Sequence, residues 1–492
     1  MSVKKCPRLS TELQLEILEV LAEDARHAVS EFQYDKAWRC YAQLLLPAIL
    51  VNRDWATRGT DLLWREPFTP ALAEIHPQRR QLYADKVQSI GLYLYRADHL
   101  DSPAAFANLS FPQLKRLEIN SCPPCMSLDL RPYLSSSITS FTMLKCSHLP
   151  KSLLDLVAFC CPELRDVNLD YGAGDQRNEH FLKFLRKCKR LRELTLSSEN
   201  GLRFPVDVLE NLASRKQLEC FCAPLNLISY RSVAAIMQDN PRLRPFRNAN
   251  NLFLSIESRA VRPVLSAAES LVELQLNLAD SEIDVFGLIG TLHCLETVEL
   301  SFSKPKRLAM HELQSISGLT RLKELSICGP PAEPHRETGP LLVAEAWTDI
   351  LFDTWISSYS HLEKLLFGVC PMDSHWISET RIVGKSCLKL TTLSMAGIHD
   401  IGVWRVSSPP LFPELRYLEL GQLKPWPFST SAEETDEYAK GLARMIYQHA
   451  PMLEKFSVGQ NDLADAVVEA YEEEKGLDGS AGNVNMYDAR SQ

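Results

Sequence analysis

The chain is patterned by one recurring alternation: a short polar lead, then an apolar residue, two variable positions, an apolar residue, one variable position and a third apolar residue. "FPQLKRLEI" gives Leu114, Leu117 and Ile119; "CPELRDVNL" gives Leu164, Val167 and Leu169; "CKRLRELTL" gives Leu191, Leu194 and Leu196. "AESLVELQL", "LHCLETVEL" and "LTRLKELSI" repeat it from Leu271, Leu295 and Leu322, and later copies begin at Leu362, Leu390 and Leu415. Weaker copies begin at Val87, Ile138, Leu218, Leu243 and Leu453. The last two apolar residues of each copy alternate with polar ones, as expected of a short strand with one buried face. Between copies lie helical patterns such as "KSLLDLVAFC", "NEHFLKFLRKC" and "PVDVLENLASR".

The starts from Val87 to Leu322 are 24 to 28 residues apart; gaps of 40, 28, 25 and 38 follow. A period in the twenties with L-x-x-L-x-L is the leucine-rich-repeat signature. An ordinary α/β domain does not hold one spacing through so many units. One strand and one helix cannot bury an apolar face alone, but stacked units bury it against each other. The expected fold class is therefore α/β: a small N-terminal helical domain, then an irregular repeat solenoid with parallel strands on its concave side and helices on its convex side. Its expected span is 80–471. The longer gaps carry "GPPAEPHRETGP" (329–340) and "GQLKPWPFSTSAEETDE" (421–437), both expected as loops. The polar end, 472–492, is expected as a disordered tail.

The N-terminal segment does not follow the repeat. "RLSTELQLEILEVLAEDA" is a helix pattern with Thr11 as its expected N-cap and Gln14 three residues on. Leu13, Ile17, Val20 and Leu21 fall on one face of the wheel, and Leu15 and Leu18 on another. A helix apolar on two sides needs two partners. A second apolar block, "AQLLLPAILVN" (42–52), has Pro47 at an expected first helical turn. Trp55 and Trp64 follow in "NRDWATRGTDLLWREP".

On those residues the segment 7–67 resembles an F-box. The order "LSTELQLEILEVL", "LVNRDW", "LLWRE" carries the resemblance through Leu9, Glu12, Leu13, Ile17, Leu18, Leu21, Val51, Arg53, Trp55, Leu63 and Trp64. Ser10 stands where the family usually has proline, and the connection from Glu23 to Gln43 is longer than usual. An F-box followed by leucine-rich repeats is the domain order of one class of ubiquitin-ligase receptors, and loosely patterned members are common in filamentous fungi. The resemblance implies a substrate receptor of an SCF-type ubiquitin ligase. Such a receptor holds a Skp-type adaptor, and through it a cullin scaffold, by Leu9, Leu13, Leu15, Ile17, Leu18, Leu21, Leu50, Val51, Trp55 and Trp64. The two tryptophans would anchor the small fold, since large aromatics desolvate much area per residue. The other reading is a repeat scaffold that works outside any ligase.

Composition narrows partners rather than fold. A net charge of −9 and a pI near 5.8 argue against a general binder of nucleic acid or anionic membrane. No apolar run reaches the roughly 18 residues of a membrane span, and no secretion signal precedes the first helix pattern. The fourteen scattered cysteines, including Cys160, Cys161, Cys220 and Cys222, are expected as buried, reduced thiols. The expected compartment is cytoplasmic, nuclear or both.

No nucleotide, zinc-protease or hydrolase motif occurs. "CPPC" at Cys122–Cys125 lacks a second pair at zinc spacing. "YGAGDQ" from Tyr171 lacks the rest of a dinucleotide fingerprint. No cofactor, metal or catalytic residue is expected, and the chain is not expected to be an enzyme. The target of the expected receptor is unknown; its expected site is the inner face of the strands. Candidates there are Glu118, Asn120, Asn168, Asp170, Gln275, Asn277, Glu299 and Glu419, beside Thr195, Ser197, Ser301, Ser326 and Ser394. Arg247 is the sole cation expected among them, so the face is expected to favour a basic or neutral partner.

Overall fold

In the computed structural model, the described residues are 10–27, 45–67, 69–93, 106, 108–120, 130–144, 151–170, 175–197, 205–241, 243–280, 285–329, 342–345, 347–371, 379–424, 432–459 and 462–477. The chain divides into two compact units, Met1–Leu202 and Arg203–Gln492.

The first unit opens with helices. These are α1 (Thr11–His27), α2 (described over 45–49), α3 (Arg53–Leu63), α4 (Thr69–Glu74) and α5 (Pro77–Ala84). Five parallel strands follow in chain order: β1 (Ser89–Tyr93), β2 (Arg116–Asn120), β3 (Ser140–Leu144), β4 (Asp166–Asp170) and β5 (Glu193–Ser197). Helix α6 (Lys151–Cys160) joins β3 to β4, and α7 (Asp175–Lys187) joins β4 to β5.

The second unit continues the theme. Its main strands run parallel in chain order: β6 (Cys220–Ile228), β7 (Asn251–Ile256), β8 (Glu273–Leu278), β9 (Thr297–Phe302), β11 (Glu324–Cys328), β13 (Lys364–Phe367), β15 (Thr392–His399), β16 (Tyr417–Leu423) and β17 (Lys455–Val458). Three short strands, β10 (Lys306–Ala309), β12 (Leu342–Glu345) and β14 (Cys370–Pro371), pair in a separate parallel sheet.

The apolar triplets place these strands. The first residue of each triplet is buried just before its strand, from Val87, Leu114, Ile138, Leu164 and Leu191 in the first unit to Leu415 and Leu453 in the second. The second and third residues, such as Leu117 with Ile119 and Val298 with Leu300, point into the core. The residue after the first apolar position extends the ladder by accepting two amides from the next repeat. Gln88 O accepts Lys115 N at 2.8 Å and Arg116 N at 3.0 Å, and Arg165 O accepts Arg192 N at 2.8 Å and Glu193 N at 3.0 Å.

One copy is displaced from its sequence position. The strand expected after Leu243 is β7, eight residues later, and Ala249 fills the buried first position. Alanine there hid the copy. Arg247 therefore lies in a turn and not on the strand face.

The insertions and tail also differ from expectation. Part of 421–437 is regular: β16 runs to Leu423 and a helix begins at Ala432. A helix over Asp462–Leu477 takes in the first residues of the expected tail. Residues 330–340, 425–431 and 478–492, and the CPPC motif, lie outside the described residues. The side sheet of β10, β12 and β14 was not legible as repeats. Beside it, Lys306 Nζ lies 2.8 Å from Glu312 Oε1 and 5.6 and 5.5 Å from the ring centres of Phe286 and Phe302. Both charged side chains are nearly buried, and each offsets part of the cost of burying the other.

Candidate functional site: the N-terminal helices and the open strand face

Helix α1 is capped by Ser10 rather than Thr11. The Ser10 hydroxyl accepts Leu13 N at 3.3 Å, and Ser10 O accepts Gln14 N at 3.1 Å. Ser10 thus starts the helix. The same hydroxyl contributes to holding the Glu12 carboxyl below the usual carboxylate range, after hydrogen bonding to its own backbone and ahead of Arg58. Helix α3 is capped by Asn52, whose side-chain oxygen accepts Asp54 N at 2.9 Å and Trp55 N at 3.1 Å.

These helices close on a core of Leu18, Ala22, Leu45 and Leu62, with Leu21, Ala48, Ile49, Trp55 and Leu63 packed at its margin. Gly59 lets α3 approach α2: a Cβ there would lie 2.5 Å from Ile49 Cγ1. Arg65 and Glu19 stand 3.7 Å apart across the outside of the bundle.

This packing divides the residues of α1 that the resemblance set together as adaptor-holding. Leu18 is completely buried in the bundle. Leu15 and Leu21 are half-buried. Leu13 and Ile17 are 47% and 39% exposed, and Val20 beside them is 52% exposed. They lie at i, i+4 and i+7, on one stripe of the helix nearly opposite Leu18 and Ala22. The same bundle leaves Leu46, Leu50 and Val51 exposed, the last two at 74% and 62%. Six exposed aliphatic side chains on one small bundle are far more than isolated surface leucines need explain. The pattern gave two apolar faces to α1; which one meets the chain itself depends on Leu45 and Leu62.

The tryptophans pack into the fold rather than stand out with the adaptor-holding residues. Trp64 is 8% exposed and packs against Tyr83 with ring centres 4.7 Å apart and planes tilted by 38°. Trp55 is half-buried at the margin of the bundle core. Neither is a free anchor for a partner. Trp64 instead occupies the place of a repeat's first apolar residue. The next residue, Arg65, accepts Gln88 N at 2.8 Å and Ser89 N at 3.0 Å through its carbonyl, the pattern that Gln88 then continues. The end of the helical bundle is thus the first rung of the ladder. Leu9 lies outside the described residues.

On the strands, the expected open-face residues are where the alternation put them. Glu118, Asn120, Asn168 and Asp170 are half-exposed in the first unit, where Asn168 pairs in register with Thr142 and Thr195. Asp170 accepts a hydrogen bond from Ser197. In the second unit Gln275, Asn277 and Glu299 are half-exposed and Glu419 exposed; Glu419 accepts from Ser394 at 2.9 Å. Ser326, on the same row, is buried.

The residue that opens each strand shares this face, and the sequence reading left that row out. In the second unit it adds Glu273 and Glu324 beside Glu299, together with Lys364, which lies 3.5 Å from Glu324. Burial first, then Glu324 and Glu299, raise the Glu273 carboxyl above its ordinary range. The row also carries Arg116 in the first unit and Lys364 and Lys455 in the second, so Arg247 is not its cation. Cys220 and Cys222, expected as buried, are half-exposed on β6, and Cys160 is half-exposed beside buried Cys161. Burial pushes the Cys161 and Cys387 thiols up to about 12, so neither is a ready nucleophile.

Among the described residues no helix is long and apolar enough to cross a membrane, and no three His, Cys, Asp or Glu side chains converge as metal ligands would.

No family model matches the chain, and none of the curated proteins does. Among solved structures it is similar to a chain of the Rad7 and Elc1 complex of yeast, at 13% identity and a TM-score of 0.41, over 92% of this chain and 93% of that one. It is also similar to a chain of the TLR13–ssRNA13 complex, at 15% identity and a TM-score of 0.35, over 80% of this chain and half of that one. At these values neither likeness bears on function.

Proposed function

We propose that the chain is a non-enzymatic substrate receptor: its N-terminal helices hold a Skp-type adaptor, and its repeat strands hold a target protein for ubiquitin transfer by other subunits. The observation that carries this reading is the exposed stripe Leu13, Ile17 and Val20, with Leu46, Leu50 and Val51 on the same bundle, in a segment whose order of residues resembles an F-box. Burying a Leu, Ile or Val side chain is worth about 1.5–3 kcal/mol. Residues already half-covered gain roughly half of that, so six of them suit a partner that binds stably.

The proposed mechanism is proximity. Tethering raises the effective concentration of target lysines near the conjugating enzyme, with no chemistry done by the receptor. The ladder shared by Arg65, Gln88 and Lys115 supports it, because backbone hydrogen bonds tie the helices to the first repeats rather than a free linker. Target recognition is proposed on the open strand face. Glu273, Glu299 and Glu324 in the second unit favour a basic or neutral segment there.

The test is co-purification of the full chain with a Skp-type adaptor and its cullin from purified components. The proposal expects a stoichiometric complex. A full chain that folds and leaves the adaptor in the flow-through would instead support a repeat scaffold acting outside a ligase.

A further inference from the structure

The ladder position after each repeat's first apolar residue is exposed or half-exposed, and the two units fill it differently. In the second unit its charges are paired across neighbouring strands. Lys323 Nζ lies 2.8 Å from Glu296, and Arg416 lies 3.2 Å from Glu454. In the first unit the same position runs Arg65, Gln88, Lys115, Thr139, Arg165, Arg192, with no carboxylate in the run; Arg65 pairs instead with Glu19 on α1. Arg165 and Arg192 are direct neighbours, joined by the 2.8 Å backbone hydrogen bond.

The turn and helix beside them add to the imbalance. Between Glu179 and Glu193 stand Lys183, Arg186, Lys187, Lys189, Arg190 and Arg192. Some are neutralised. Asp155 on α6 lies 3.5 Å from Lys183, 3.8 Å from Lys187 and 3.6 Å from His180, and Glu163 pairs with Arg190. Arg165, Arg186 and Lys189 are exposed and have no side-chain partner among the described residues. This excess of positive charge sits on a chain of net charge −9.

An independent feature adjoins it. Helices α6 and α7 pack side by side in adjacent repeats. Cys161 N bonds Val157 O as Cys188 N bonds Phe184 O, so the repeats align residue for residue and Phe159 is the counterpart of Arg186. Phe159 is 80% exposed, beside buried Val157 and Ala158. An aromatic side chain held out in water next to unpaired cations has the make-up of a recognition anchor.

We infer that Phe159, Arg165, Arg186 and Lys189 form a docking surface on the first unit for an acidic polypeptide segment that carries one apolar residue. A polypeptide fits better than single-stranded nucleic acid. The surface offers one exposed aromatic, whereas base stacking uses successive platforms. Carboxylates at Asp155, Glu163 and Glu193 also interrupt the track of cations that a phosphate backbone would follow. The surface uses neither the apolar stripe of α1 nor the acidic strand face, and it stands whether or not the chain holds an adaptor.

The test uses the full chain on an array of acidic peptides with one tryptophan or leucine at each successive position. A second array has the same peptides with glutamine in place of glutamate, and oligouridylate serves as the nucleic-acid probe. Acidic peptides should be retained and their glutamine counterparts not. In low-salt anisotropy titrations, Arg186→Glu with Lys189→Glu should weaken the best peptide at least about tenfold, and Phe159→Ala about fivefold with little salt dependence. All three side chains are exposed, so the circular dichroism should not change. Retention of no acidic peptide, or unchanged binding by the charge-reversed chain, overturns the inference. Tighter binding of oligouridylate than of every peptide overturns the assigned partner class.

Discussion

The N-terminal helices and the repeat strands treat apolar residues in opposite ways. Along the strands, nearly every apolar position of the triplets is buried, and what faces outward is Glu118, Asn168, Gln275 or Glu299. In the helices, Leu18, Ala22, Leu45 and Leu62 make a small core while Leu13, Ile17, Val20, Leu46, Leu50 and Val51 remain in water. A stacked repeat can bury its apolar face against its neighbours. A bundle of this size has too little interior for all its apolar residues. The strand face is therefore suited to selective, weak and polar contacts, and the helical stripe to a partner that supplies the missing burial.

The comparison breaks first if Trp64 belongs to the partner-facing surface. Placed between α3 and the first repeat and packed against Tyr83, it should cost about 4 kcal/mol of stability as Trp64→Ala. Chemical denaturation of the full chain reads this. A variant as stable as the parent would return Trp64 to the surface.

The two faces of α1 should separate next. Leu18→Ala opens the bundle core and should cost about 3 kcal/mol, whereas Leu13→Ala should stay within about 0.5 kcal/mol. Equal losses would mean that α1 has no free face.

A third test concerns the second unit alone. His399 is buried on β15, its ring 3.1 Å from Met395 O, and burial lowers its pKa to about 4. The unfolded chain, with an ordinary histidine pKa near 6.5, binds this proton more readily. Stability from the neutral ring is therefore complete above about pH 6.5 and is lost as pH falls from there toward 4, by roughly 2–3 kcal/mol. Unfolding free energies at pH 7 and pH 5 should differ in that direction, and His399→Gln should flatten the difference. The smallest effect is on the acidic strand face. Glu324→Gln should lower the Glu273 pKa toward the ordinary carboxylate value in an NMR titration, because Glu324 is the larger of the two like charges that raise it. A Glu273 that does not respond would mean that Glu324 has no part in its shift.

The strands were legible because their signal is periodic and local. The triplet and its spacing locate each strand of the main series except β7, where Ala249 replaces the leucine, and miss the side sheet of β10, β12 and β14. The open-face residues followed from alternation, but their neighbours Glu273, Glu324 and Lys364 did not. They precede the first strand leucine, and only register shows them sharing that face. On α1 the sequence showed two apolar stripes and could not rank them. The ranking lies in long-range contacts with Leu45 and Leu62, and in Ala22, which a count of large residues overlooks. The double duty of Trp64 and Arg65 was equally hidden, since the carbonyl that starts the ladder leaves no trace in residue type.

The most direct measurement is calorimetric titration of a Skp-type adaptor into the full chain and into a variant with Leu13→Asp, Ile17→Asp and Val20→Asp. Losing about 1 kcal/mol of burial at each position, and placing three carboxylates in an apolar contact, should weaken binding at least about a hundredfold. The melting temperature should barely change, because all three side chains already face water. Undiminished adaptor binding by this variant, with its fold intact, would contradict the assignment of the α1 stripe as the adaptor surface.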